Sequence, residues 1–354
     1  MSKLINLIRP DLREFNPYSS ARDEAFKGRI WLNANESPYP CPLPNESKIN
    51  RYPEKQPAEL KKLLASIYKV NDNQIVLSRG SDEVIDLLTR LFCRAEQEAI
   101  MICPPTFGMY AVCAHIQGAK VLEVPLKKAK GFTLDRAAIM SAWTPAVKII
   151  FLCSPNNPTG NLLDQADIVY LCQQLQDKCI VVVDEAYVEF SDLPSLAALI
   201  NDHDNLVVLR TLSKAYGLAG ARCGVLLAQA ELVQWILKII PPYPFPLPAV
   251  QTIVQALTIN RAALQQQVAV IKSERARLFD ILHTLPFVVK VWPSEGNFLL
   301  LETTNAQKVM NHCGESGIII RNMDNKPGLK NCVRISIGLP AENEQLLRVL
   351  NEIG

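Results

Sequence analysis

Leu206-Val207-Val208-Leu209-Arg210-Thr211-Leu212-Ser213-Lys214-Ala215-Tyr216-Gly217-Leu218-Ala219-Gly220-Ala221-Arg222-Cys223-Gly224 is the stretch on which the reading of this chain turns. Its first four residues are all apolar, as in a buried strand. The loop that follows is short on bulk and rich in glycine. Lys214 stands in it among small or apolar side chains, with no acidic residue within eight positions on either side. A lysine held there has its charged form disfavoured, so its pKa falls and its amine can act as a nucleophile. Ser213 precedes it directly and Arg222 follows it. A hydroxyl, an amine and a guanidinium together suit a phosphate plus a carbonyl, the pairing that pyridoxal phosphate offers. A surface lysine in a flexible loop is the plainer alternative, and the neighbours weigh against it.

Two more apolar runs lie upstream, Lys148-Ile149-Ile150-Phe151-Leu152-Cys153 and Cys179-Ile180-Val181-Val182-Val183, with a helix expected over 164–176 between them. Strands are also expected over 99–103 and 119–124, with a helix over 111–117 between. Continuous apolar strands alternating with helices predict an α/β fold, a mostly parallel sheet covered on both faces. Ligands on such sheets collect at the carboxyl ends of the strands. Three informative loops lie there: the Lys214 loop, Ser154-Pro155-Asn156-Asn157-Pro158-Thr159-Gly160 and Asp184-Glu185-Ala186-Tyr187. The prolines and asparagines of the second make a rigid, sharply turned loop, and Asn157-Pro158 is a candidate cis peptide. An aspartate ending an apolar strand holds its charge only against a cationic partner. A helix cap or a structural ion pair is its plainer reading.

Farther out, Gln74-Ile75-Val76-Leu77-Ser78-Arg79-Gly80-Ser81-Asp82-Glu83 reads as strand, turn and helix, with Ser81 or Asp82 capping. Such a turn can present free N–H groups to an anion. A helix is expected over 57–68. Residues 1–29 are polar and broken by proline, an arm with little regular structure, and 30–36 is a short strand running into a loop. Pro241-Pro242-Tyr243-Pro244-Phe245-Pro246-Leu247-Pro248 cannot be helix or central strand, and it marks a boundary. A long helical region over 249–285 then opens a smaller α+β domain. In it, strands are expected over 288–292, 297–301, 318–320 and 332–338, and helices over 305–315 and from 342. The chain divides into the arm at 1–29, a large domain at 30–245 and a small one at 246–354.

The 354 residues carry a net charge of +2, too little to argue for nucleic acid or an anionic membrane. Ten cysteines form no Cys-x-x-Cys pair and mostly lie among apolar residues, which reads as reduced buried thiols in the cytoplasm. No metal site is expected, since His312-Cys313 lacks partners. No signal peptide and no membrane span are expected.

The three loops together resemble those of fold type I pyridoxal-phosphate aminotransferases. More narrowly, the chain resembles the histidinol-phosphate aminotransferase family through Leu32-Asn33-Ala34-Asn35-Glu36, Arg51-Tyr52-Pro53, Ser78-Arg79-Gly80-Ser81-Asp82-Glu83, Pro104-Pro105-Thr106-Phe107-Gly108-Met109-Tyr110 and the segments holding Arg321 and Arg334. The likeness runs from about Asn33 to the final helix. Family members often carry tyrosine where Phe107 stands and leucine where Ala221 stands; neither change removes a charged or covalent role.

The resemblance implies a seven-stranded type of large-domain sheet and pyridoxal phosphate as cofactor. It implies that Lys214 bonds the cofactor covalently and that Asp184 pairs with its ring nitrogen, keeping it protonated. Asn157 and Tyr187 are then expected on the ring hydroxyl and Tyr110 stacked on the ring face. Ser213, Arg222 and the Gly80-Ser81-Asp82 turn are expected on the phosphate, with Tyr52 reaching the phosphate of a neighbouring subunit in a homodimer with shared sites. Arg334 and Arg321 are expected on substrate anions, helped by Asn33, Asn35 and Tyr18. The implied reaction is amino transfer between L-histidinol phosphate and 2-oxoglutarate, giving imidazole acetol phosphate and glutamate. An aromatic aminotransferase, an L-threonine-phosphate decarboxylase and a non-catalytic cofactor carrier are the alternatives.

Overall fold

In the computed structural model, which describes residues 3–16, 34–37, 39, 49–259 and 261–353, the apolar runs pair into one large sheet. Its strands are β1 (Ile75–Ser78), β2 (Ala99–Ile102), β3 (Lys120–Glu123), β4 (Val147–Cys153), β5 (Ile180–Asp184), β6 (Leu206–Thr211) and β7 (Gly224–Leu227). Their order is β1-β7-β6-β5-β4-β2-β3. Only β7 runs antiparallel to its neighbours; the other pairs are parallel.

Side chains alternate across a strand, so each run feeds two cores. Ile150, Leu152, Val181, Val183 and Val208 pack on one face with the helices Ala58–Tyr68 and Gln165–Gln174. Ile149, Phe151, Ile180, Val182 and Val207 pack on the other with Ser81–Phe92, Met109–Gln117 and Ala230–Ile239. Burial on both faces is why these strands show no polar alternation.

The second sheet is antiparallel, in the order β10-β11-β9-β8. It comprises β8 (Val288–Trp292), β9 (Phe298–Thr303), β10 (Arg321–Asn322) and β11 (Cys332–Ser336). Leu299, Leu301 and Val333 point into a separate core with Leu278, Val309 and Leu346 from three covering helices. Trp292, Leu300 and Cys332, on the opposite face, join a core of the large sheet. There the Trp292 ring meets Phe132 at 4.6 Å. The small sheet is thus held against the large one, and a cavity opens between them.

Several expectations are corrected. The arm has regular structure at its start: Lys3–Leu7 is a 3₁₀ turn and Pro10–Arg13 a helical turn, with Leu4, Leu7 and Ile8 buried in the large-sheet core. The expected strand at 30–32 lies outside the described residues. The cap before Ser81 is Gly80 (φ 85°), with no side-chain cap, and Ser81 is the first helical residue. The proline run ends inside a helix, because Leu247–Ile259 takes Pro248 into its first turn, where the missing N–H has no intrahelical partner to lose. The long helical region is two helices, Leu247–Ile259 and Arg261–Leu282. Residues 318–320 are not strand: the chain leaves Gly317 at φ 77° and turns Ile319 to solvent, 85% exposed, so β10 starts at Arg321.

Candidate active site

Three loops at the carboxyl ends of β4, β5 and β6 converge on one side of the cavity, and β10 and β11 close it from the other. The cavity measures about 600 Å³. Ser81, Asp82, Asn157, Asp184, Tyr187, Ser213, Lys214, Arg222, Arg321 and Arg334 all line it, so the structure brings together ten of the residues singled out from sequence. Asn157-Pro158 is cis, as are Pro104-Pro105 and Ser154-Pro155.

Asp184 ends β5 and is buried. Its Oδ2 accepts from the Tyr110 hydroxyl at 2.8 Å and its Oδ1 from the Ala186 backbone N–H at 3.1 Å. Burial raises its pKa to about 6, against the lowering effect of those two donors. Among the described residues no cation lies within ion-pair distance of it, so this buried acid faces the cavity without a charge partner. Lys214 reaches into the same space, its ammonium 5.7 Å from the Tyr187 ring centre. The open cavity leaves its side chain accessible, but the loss of bulk water around the amine lowers its pKa, and the positive charge of Arg334 lowers it further.

Asn157 Nδ2 donates to the Tyr187 hydroxyl at 3.2 Å. Arg334 Nη1 donates to Asn157 Oδ1, and its guanidinium lies 5.2 Å from the Phe298 ring centre. Arg334 Nε is buried with no partner. Arg321 is the register partner of Arg334 across the β10–β11 ladder. Two guanidiniums placed opposite each other repel unless something anionic lies between. Neither makes an ion pair with an acid among the described residues, Asp324 and Glu315 included.

At the other end, Arg222 (φ 52°) turns its guanidinium over the start of the helix Ser81–Phe92 and sits 3.7 Å from Asp82 Oδ2. A Cβ at Gly80 would come 2.5 Å from Arg222 Nη2, and one at Gly224 would overlap the backbone of Gly80 and Ser81. Glycine at both places lets the strand, the turn and the arginine close around uncapped helix N–H groups. That end has the donors and the dipole for a phosphate.

Two expectations differ, those for Tyr110 and Asn35. Tyr110 does not line the cavity. It lies in the first turn of Met109–Gln117, fully buried, stacked on Phe151 at 4.8 Å, with its hydroxyl on Asp184. Phe107 lines the wall instead. Gly80 stands behind the cavity as the cap. Tyr52 stacks on Tyr243 at 4.3 Å, away from this chain's cavity, and Asn35 does not line it. Asn33 and Tyr18 lie outside the described residues. Lys326 also lines the cavity, near Gly108, and nothing in its sequence surroundings signalled it.

The residues fit pyridoxal phosphate. The unpartnered buried acid suits a protonated ring nitrogen, the depressed lysine a carbonyl carbon, and the Arg222 end a phosphate.

The profile of the family "aminotransferase class I and II" matches residues 28–350. The histidinol-phosphate aminotransferase of Xanthomonas campestris pv. campestris is 45% identical over 352 residues, covering 99% of this chain and 97% of that one. Among solved structures, the histidinol-phosphate aminotransferase of Clostridium acetobutylicum superposes with a TM-score of 0.79 at 25% identity, covering 86% of this chain and 91% of that one. The enzyme of Sinorhizobium meliloti, solved in complex with pyridoxal-5'-phosphate, gives 0.77 at 26% identity, covering 85% and 82%.

Proposed function

The chain belongs to the class I and II aminotransferases, and from that premise we propose that it transfers an amino group between L-histidinol phosphate and 2-oxoglutarate, with pyridoxal phosphate as cofactor. When bound, the cofactor supplies an electron sink for the carbon that carries the amine. Lys214 would bond it, and the lowered pKa of its amine suits both that bonding and proton transfer. Asp184 would hold a proton on the ring nitrogen. Asn157 and Tyr187 would hydrogen-bond the ring hydroxyl. Ser213, Arg222 and the Gly80-Ser81-Asp82 turn would hold the phosphate.

The observation that carries the substrate reading is the pairing of Arg321 with Arg334 across the ladder. Histidinol phosphate has a phosphate and no carboxylate, while glutamate has two carboxylates. One site therefore has to take different anions in two half-reactions. A planar guanidinium pairs with either and keeps its charge. The Xanthomonas relative at 45% identity and the Clostridium and Sinorhizobium structures bear the name histidinol-phosphate aminotransferase, which supports the same choice. Arg334→Ala then weakens both half-reactions, by about 1.5–3 kcal/mol each, and leaves cofactor affinity unchanged. Single-turnover titrations with L-histidinol phosphate and with glutamate measure it; unaltered half-saturation for both contradicts the reading.

The homodimer with shared sites, to which Tyr52 contributes across the interface, belongs to this proposal. So do the cytoplasmic location and the division at residues 29 and 245. Tyr52 stands 48% exposed and turned from its own cavity, which supports a role in a neighbouring subunit.

A further inference from the structure

We propose that Tyr110 is a positioning residue that holds the Asp184 carboxylate ionised and aimed into the cavity. This rests on the functional reading above. The segment 106–110 places its two rings at right angles, centres 5.6 Å apart. Phe107 stands half-buried at the cavity wall. Tyr110 is carried one helical turn inward, with no solvent exposure. A buried phenol needs a partner for its O–H, and this one has Asp184 Oδ2 at 2.8 Å. Tyr110 is locked from behind by a near-parallel stack on Phe151, at 3°. Its hydroxyl is thereby held at Asp184, with the Cys153 thiol beside it.

The charged and titratable groups around Asp184 come from five places. Tyr110 lies on the helix Met109–Gln117, Cys153 at the end of β4 and Tyr187 on its own loop. Asp82 lies in the first turn of Ser81–Phe92 and Lys214 on the loop after β6. Burial and Asp82 favour the neutral acid. Tyr110, the Ala186 N–H and Lys214 favour the carboxylate, with Tyr110 the largest of the three. A protonated ring nitrogen binds the carboxylate and not the neutral acid. Without the hydroxyl, Asp184 keeps its proton to higher pH, and cofactor affinity is lost sooner as pH falls.

Tyr110→Phe isolates this role, because phenylalanine keeps any stacking contact and removes only the hydroxyl. The full chain is stripped of cofactor and titrated with pyridoxal phosphate from pH 5 to 8. In the variant, the pH at which affinity falls is expected to move up by about one unit, with affinity roughly tenfold weaker at pH 6 and near wild type at pH 8. Site-specific 3-fluorotyrosine at 110, a stronger donor of the same shape, is expected to move it down. An unmoved midpoint, or a loss equal at every pH, overturns the proposal. Wild type and Asp184→Asn serve as references. If wild type fails to bind the cofactor, the functional reading fails. If both references behave and Tyr110→Phe is silent, only this inference fails.

Discussion

At the scale of single residues, the site is built against the stability of the chain that makes it. Asp184 is ionised in water at a pKa of 3.8 and in the fold at about 6. Such an acid binds its proton more tightly folded than unfolded. Folding is therefore penalised above pH 6, and the penalty is lifted as pH falls through 6 towards 4. The difference corresponds to about 3 kcal/mol at neutral pH. Asp184→Asn keeps an oxygen to accept from Tyr110 and carries no charge. In the cofactor-free protein it should stabilise by up to about 3 kcal/mol at pH 7, with little gain at pH 4.5. Urea denaturation at the two pH values checks this; equal destabilisation at both contradicts it. A pyridinium-bearing ligand removes the penalty in the working enzyme, because it brings the cation that the buried carboxylate lacks.

At the scale of elements, the phosphate end depends on two backbones touching. Gly224 opens β7 opposite Ser78, and a Cβ there meets Gly80 and Ser81 backbone that no rotamer change can clear. Gly224→Ala should destabilise by about 1–3 kcal/mol and weaken cofactor affinity in parallel, since relief requires the turn to move. Thermal melts with and without pyridoxal phosphate measure both effects; a variant as stable and as tight as wild type refutes the close packing. The strands β4, β5 and β6 and their loops were legible in sequence because burial on both faces leaves unbroken apolar runs. The place of β7 was not, since its insertion between β1 and β6 is a tertiary choice that four residues do not encode. Residues 318–320 misled because an apolar trio reads as strand wherever it falls, and here Ile318 and Ile320 pack on the small-sheet core without ladder pairing while Ile319 faces solvent. The expectation for Tyr110 comes from the family resemblance; in the structure the helix begins at Met109, and its first turn carries Tyr110 inward while Phe107 stays at the wall.

At the scale of the whole molecule, the cavity belongs to neither sheet alone. The large sheet brings Lys214, Asp184 and Arg222, and the small one brings Arg321, Arg334 and, on the turn after β10, Lys326. Trp292, Leu300 and Cys332 fix the distance between the two sets by joining the large-sheet core. On the proposed function, cofactor chemistry falls to the wall of the large sheet and recognition of substrate anions to that of the small sheet. The reading that this wall is made for a phosphate-bearing amine is tested most directly by comparing L-histidinol phosphate with L-histidinol as donor to 2-oxoglutarate, measured as glutamate formed by the purified, cofactor-loaded protein. The account predicts transfer from L-histidinol phosphate, with kcat/KM lower by at least about a hundredfold when the phosphate is absent, the loss expected for about 3 kcal/mol of ion contact. Equal use of the two donors, or no glutamate from L-histidinol phosphate, would contradict it.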